Sequence, residues 1–331
     1  MIPNPFRQKA YAGLTASLVV ICIVVVVVGL LVSSRFRAHN STALAPDPNS
    51  AIDSAIPAAS SLHQHDGDLK INTSNVRVER IHITGDLIID APATNVVVSD
   101  TVVDGQVFIN GDTPSKKIDN KLVGIVPENI KLERVDMHGL STLGFDDLTI
   151  DSCSIHGIAS TLAQVSRSQN EYQGNSLVWP ATNFTLTRSH LYGIQPSDGK
   201  GGHFEAIHLL GVKGFLLSYN VFDARVKDQA TFNQITQALT MEKDFGGVSS
   251  SDGVIKGNTF YGGGVYQVGF YMTCTSPSSC QVVDNRFTTY RDPNGTLHDA
   301  VQYPPSPGDP SFEQAGNTLD GRPFTLLTGA D

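Results

Sequence analysis

Charge is scarce in this 331-residue chain: only 17% of residues are Asp, Glu, Lys or Arg, against 40% hydrophobic, and tryptophan occurs once. A coiled coil or a disordered tail would carry far more charge, so the composition points to a packed body, and 30 glycines make it rich in turns. Basic residues are outnumbered, 23 against 32 acidic, for a net charge of −9. Arg7, Lys9, Arg35 and Arg37 all precede the first acidic residue, so the remainder is more acidic still. Such a body lacks the clustered positive charge that phosphates demand, which argues against a nucleic-acid partner. Cysteine is nearly absent as well. Cys22 lies in an apolar run, Cys153 stands alone, and Cys274 and Cys280 flank the short polar segment Thr-Ser-Pro-Ser-Ser. The last two are placed to form a disulfide in an oxidising compartment; the alternative is two unpaired surface thiols.

The first feature present is Gly13–Val32, an apolar stretch without a charge. At helical rise it covers the roughly 30 Å hydrocarbon core of a bilayer. A cleaved signal peptide would show an apolar run of about 7–15 residues closely succeeded by a small-x-small site. The nearest such site, Ala43-Leu44-Ala45, sits well downstream and precedes Pro46. The expectation is an uncleaved single-pass transmembrane anchor over residues 13–33, with residues 1–12 cytoplasmic and the rest extracytoplasmic. Arg7 and Lys9 before the anchor are matched by Arg35 and Arg37 after it, so orientation rests on the exported look of the downstream chain. Residues 34–68, rich in Ala, Ser and Pro, read as a disordered tether. Its His63 and His65 are a pair that could meet a metal but in such a segment are ordinarily solvated.

From residue 69 to 331 a repeat carries the inference. Segments starting at Asn75, Asn95, Asn129, Asp147, Asn183, Gly214, Asp252 and Ser279 align column by column. The fourth column reads Val78, Val98, Leu132, Ile150, Leu186, Leu217, Ile255, Val282, and the ninth runs from Ile83 to Phe287 with only apolar members. Column eleven is glycine in most units, Gly85, Gly105, Gly139, Gly157, Gly193 and Gly262 among them. Alternating apolar positions on either side of a polar pair describe two short strands joined by a bend. One such pair cannot bury its apolar side alone, but stacked units can, which is the logic of a β-solenoid. The irregular spacing of the unit starts favours an all-β, right-handed parallel β-helix with variable loops. Column seven ends in Asn220, Asn258 and Asn285, which can hydrogen-bond one another and the bend backbone; Cys153 occupies the same column and reads as a packing residue.

Column ten, beside the inward ninth, should face solvent: Thr84, Asp104, His138, His156, Tyr192, Asp223, Tyr261, Thr288. Its members fall one rung apart, so it forms a polar, partly aromatic track on which sugar rings could stack, the plain alternative being a tolerant solvent face. His138, His156, Tyr192, Asp223 and Tyr261 are the candidate substrate-binding residues. A second cluster of titratable groups comprises His203, Glu205 and His208 beside a glycine-rich loop, with Asp198 and Lys200 just ahead. A carboxylate and an imidazole together can serve as acid and base in glycosidic chemistry. Strand alternation puts His203 and Glu205 on one side and His208 on the other unless the backbone breaks at Ala206.

The columns, the asparagine stack and the block SDGKGGHFEAIHLLGVKGFLLSYNVFDA (Ser197 to Ala224) resemble exported bacterial β-helix proteins of the pectate lyase superfamily. In that group the matching block commonly reads His-x-Asp-Gly-Ile-Gln, with a rung ending in Asn-x-Phe after it. Here it reads His203, Phe204, Glu205, Ala206, Ile207, His208, departing by a longer acid, by Ala for Gly and by His for Gln. The resemblance, from about Leu69 onward, implies the fold, a polysaccharide partner, and lyase or hydrolase chemistry around Glu205. Uronate lyases of the family use aspartate-bound Ca²⁺ and an arginine; Asp198, Asp223, Asp228, Asp244, Arg225 and Lys227 supply the types without a recognisable spacing. The Arg-Ile-Lys run of polygalacturonases does not occur. Two readings result, a membrane-tethered carbohydrate-active enzyme and a noncatalytic polysaccharide-binding or envelope-organising surface module.

Overall fold

The computed structural model describes residues 55–326 except 119–120, 173–174, 196–202, 226–234, 243–246, 263–265, 270–271, 292–296 and 303–311. Residues 13–33, expected to span a membrane, and residues 1–12, expected to be cytoplasmic, lie outside them. Among the described residues no helix is long and apolar enough to cross a membrane.

The chain winds as a parallel β-solenoid with three ladders of short strands. The first contains Arg77–Glu79, the leading halves of Thr94–Val103 and Glu128–Met137, then Phe145–Asp151, Ala181–Thr187, Lys213–Ser218 and Ser250–Lys256. A bend leads to the second, which includes His63–His65, Ile81–Ile83, Ser154–His156, His190–Tyr192, Val221–Ala224 and Thr259–Gly262. The third runs from Leu69–Ile71 and Leu87–Asp90 through Ala163–Ser166 and His203–Leu210 to Ile235–Glu242 and beyond. Register is kept rung by rung: Leu186 lies opposite Leu217, Leu217 opposite Ile255 and Ile255 opposite Val282.

Alternation explains why these residues form these strands. Every member of column four and every member of column nine is buried, and the rings of Phe222, Phe260 and Phe287 stack at 5.1 Å from rung to rung. Where two side chains would collide the sequence yields: a Cβ on Gly253 would lie 2.0 Å from Cζ of Phe215. The bends use left-handed backbone. Column one, Asn75, Asn95, Asn129, Asp147, Asn183 and Asp252, has φ between 54° and 60°. Asn and Asp are the non-glycine residues that tolerate this conformation best. Column six is left-handed too, yet holds Arg80, Arg134, Arg188 and Tyr219 with φ of 47° to 58°. Nothing in those side chains favours the conformation, so the stacked rungs on either side impose it.

At column seven the expected polar spine is present and reaches Asn317 in the degenerate last unit, Gly316 to Gly321. Nδ2 of Asn220 donates to Oδ1 of Asn258 at 3.0 Å, Asn258 to Asn285 at 3.1 Å, and Asn285 to Asn317 at 3.1 Å. Toward the N-terminus Ser189 and Cys153 continue it: the Cys153 backbone N–H donates to the Ser189 hydroxyl at 3.1 Å, and Val135 N–H reaches Cys153 Sγ at 3.4 Å. Cys274 and Cys280 form the disulfide.

One feature differs from the sequence reading, and a second gives the expected variable loops their form. The ordered elements start before Leu69, inside the stretch assigned to the tether. Ala59–Ser61 forms a 3-10 turn, and His63–His65 pairs in parallel with Ile81–Ile83, because backbone pairing to an existing ladder needs no apolar side chain. The length of the units starting at Asn95 and Asp147 has a specific source. Hairpins Asp112–Ile118/Lys121–Ile125 and Ser168–Tyr172/Asn175–Trp179 emerge between the third and first ladders and join through Leu177 opposite Leu122. Trp179 anchors them, its Nε1 donating to the Asp112 carbonyl at 3.2 Å.

Candidate functional site: the outer face of the second ladder

Because side chains alternate, columns eight and ten both point outward from the second ladder, two residues apart on each rung. His156 lies directly opposite Tyr192, and Asp223 opposite Tyr261, one rung away in each case. The rings come into contact along the solenoid axis. His138 and His156 meet edge to face with centroids 4.9 Å apart, and His156 and Tyr192 stack at 5.0 Å and 27°. Column eight adds His190, stacked on Tyr192 at 4.1 Å. Further along, the Arg225 guanidinium sits 4.6 Å from the Tyr261 ring centroid while donating from Nε to Asp223 Oδ1 at 2.8 Å.

This arrangement changes how the track can meet a ligand. Where rings stack, as Tyr192 does with His156 and His190, their faces are turned to one another and not to solvent. The face therefore offers carboxylate oxygens and the Tyr192 hydroxyl rather than open aromatic planes for sugar stacking. The polar groups are held in place by one another. Nε2 of His156 lies 2.7 Å from Asp136 Oδ1, Nε2 of His82 lies 2.9 Å from Asp104 Oδ1, and the Ser154 hydroxyl donates to Tyr192 Oη at 3.4 Å. Asp136, Ser154, His190 and His82 were not singled out by the sequence reading, although the same alternation that turns column ten outward puts them on its side of the ladder.

The Glu205 cluster is arranged differently. Glu205 lies on strand His203–Leu210 of the third ladder opposite Gln237, on the inward side with Ile207 and Leu209, and is only 1% exposed. Oε2 of Glu205 accepts a hydrogen bond from the Thr161 hydroxyl. His208 is on the opposite side, its Nε2 3.7 Å from Glu242 Oε2. Glu205 and His208 are thus not brought together. His203 begins the same strand, opposite Ile235, and Asp198 and Lys200 lie outside the described residues.

Among the described residues no three His, Cys, Asp or Glu side chains gather as a metal ion would need. Asp223, the described member of the aspartate set suited to Ca²⁺, is engaged by Arg225 instead. Asp198, Asp228 and Asp244 lie outside the described residues. At the bend between the first and second ladders, hydrogen bonds from the Arg134 guanidinium hold the Asp100 carboxyl below the usual carboxylate range, a stapling contact between rungs. Burial pushes the Cys153 thiol up to about 12, which makes it inert as a nucleophile.

The chain matches no known family model and no curated protein sequence.

Proposed function

We propose that the protein is a noncatalytic polysaccharide-binding surface module, a right-handed β-helix of the pectate lyase type that holds a glycan along the outer face of its second ladder. The observation that carries this reading is the continuous outward run of polar and ring side chains from His138 through His156 to Tyr192, each touching the next. A repeating side-chain track one strand spacing per rung, about 4.8 Å, suits a repeating polymer better than a small ligand. The reading is supported further by Glu205, whose burial beside Thr161 removes from solvent the acid that stands at the family's aspartate position. The apolar run at residues 13–33 would tether the module to the membrane with the solenoid outside the cytoplasm.

A second reading, polysaccharide hydrolase or lyase, has the Asp136–His156 pair behind it, since a carboxylate bound to one imidazole nitrogen leaves the other suited to take a proton. One experiment separates the two: incubate the full chain with a polysaccharide panel and measure retention, new reducing ends and unsaturated products together. Retention without products is expected. Products that vanish in His156→Ala would replace the binding reading with the enzymatic one.

A further inference from the structure

Building on the glycan reading, we infer that the polymer held by this face is uncharged, and that uronate- or sulfate-bearing chains are rejected by it. The inference comes from the sign and the pairing of the groups on the second ladder. Its outward columns carry Asp104, Asp136 and Asp223 along the ring track, in a chain whose net charge is already −9. The groups able to offset them are committed. His82 stands 2.9 Å from Asp104, His156 2.7 Å from Asp136, and Arg225 holds Asp223 with its Nε at 2.8 Å while its guanidinium covers Tyr261. The one arginine or lysine in these columns among the described residues, Arg286, lies one rung past Thr259, beyond the ring contacts.

An anionic sugar on the track would have to draw Arg225 away from Asp223 to gain a counter-ion. Elsewhere it would sit about one strand spacing, ~4.8 Å, from Asp104 or Asp136. Like charges this close lower both affinity and the rate of encounter. A neutral glycan meets the opposite situation. Carboxylate oxygens accept from its hydroxyls and the Tyr192 hydroxyl completes the pattern, so the groups that repel an acid are the groups that read a polyol.

The test uses the full chain and matched pairs of hexasaccharides on glucan, galactan and mannan backbones, one member neutral and the other oxidised to the uronate at C6. At low ionic strength the neutral member of at least one pair should bind, and its uronate partner at least about tenfold more weakly. Near 0.5 M salt the gap should narrow, because the screening length there falls to roughly the rung spacing. Asp223→Asn, which removes a carboxylate and its hold on Arg225, should shift the ratio of uronate to neutral affinity about tenfold toward the uronate, whatever it costs the neutral member. A uronate that binds as well as or better than its neutral partner overturns this inference and leaves glycan binding standing. Failure of every member of every pair to bind overturns the glycan reading and this inference with it.

Discussion

Oδ1 of Asn258 accepts from Asn220 twice, from its backbone N–H at 2.9 Å and from its Nδ2 at 3.0 Å, while Nδ2 of Asn258 donates to the Leu217 carbonyl at 2.8 Å. One fully buried side chain thereby serves two rungs at a bend. Asn258→Ala should take the Asn258 partner from the Asn220 backbone N–H and from the Leu217 carbonyl together, at about 1–3 kcal/mol for each buried group. Denaturant unfolding should show a loss of about 3 kcal/mol or more; a loss under about 0.5 kcal/mol would mean that the asparagine spine does not hold the rungs.

Leu217→Asp places a carboxylate inside the solenoid, where Leu217 is fully buried between Leu186 and Ile255. An unpaired buried carboxylate costs several kcal/mol, comparable with the whole folding stability, so this variant should fail to fold. The outward Tyr261→Ser should shift the melting temperature by only a few degrees. Equal shifts for the two would contradict the assignment of inward and outward columns.

Columns four, seven and nine were legible in the sequence because inward positions of a stacked strand admit little but apolar residues or a self-pairing amide. Column one, Asn, Asp or Gly from Asn75 to Asp252, was not singled out, although a left-handed backbone is what those residue types share. The left-handed Arg80 and Arg188 of column six could not be read, since neighbouring rungs and not the residues themselves impose their conformation. The burial of Glu205 was hidden for a similar reason: its partner Thr161 is 44 residues away, and an inward acid resembles a surface one in sequence. The first rung escaped notice because His63–His65 has no apolar residue to mark it. On the second ladder, alternation alone placed the five column-ten candidates on one side, whereas the contacts that orient them, Asp136 on His156 and Arg225 on Asp223, needed the register.

Glu205→Gln separates wall from chemistry. The amide keeps a carbonyl that can accept from the Thr161 hydroxyl, but a charge-assisted bond becomes a neutral one, so stability should fall by about 1 kcal/mol. Glycan retention should stay unchanged. A large loss of retention at unchanged melting temperature would return Glu205 to the binding or catalytic set.

Cys153 should resist alkylation in the native protein at pH 8 and react once the chain is unfolded, as peptide mass mapping can show. Its raised pKa also carries a sign for stability. Above the ordinary thiol value near 8.5 the unfolded chain loses this proton and the native one keeps it, so stability falls as pH rises. The loss should approach about 1.4 kcal/mol per pH unit from about pH 9 to the native pKa of about 12, and Cys153→Ser should remove that slope.

Membrane attachment through residues 13–33 is checked by fractionation with N-terminal sequencing. The intact chain should remain with the membrane after a high-salt wash. A soluble product beginning near Pro46 would contradict the anchor.

The central claim is that the second ladder, and not another face of the solenoid, holds the glycan. Its most direct measurement compares glycan retention by the full chain, by His156→Ala with Tyr192→Ala, and by Thr149→Ala with Thr185→Ala on the outer face of the first ladder, where Thr149 lies opposite Thr185. The second-ladder double variant should lose retention by at least about tenfold at a melting temperature within a few degrees of the parent, and the first-ladder variant should bind as the parent does. Undiminished retention by the His156 and Tyr192 variant, or loss only in the first-ladder variant, would contradict the account.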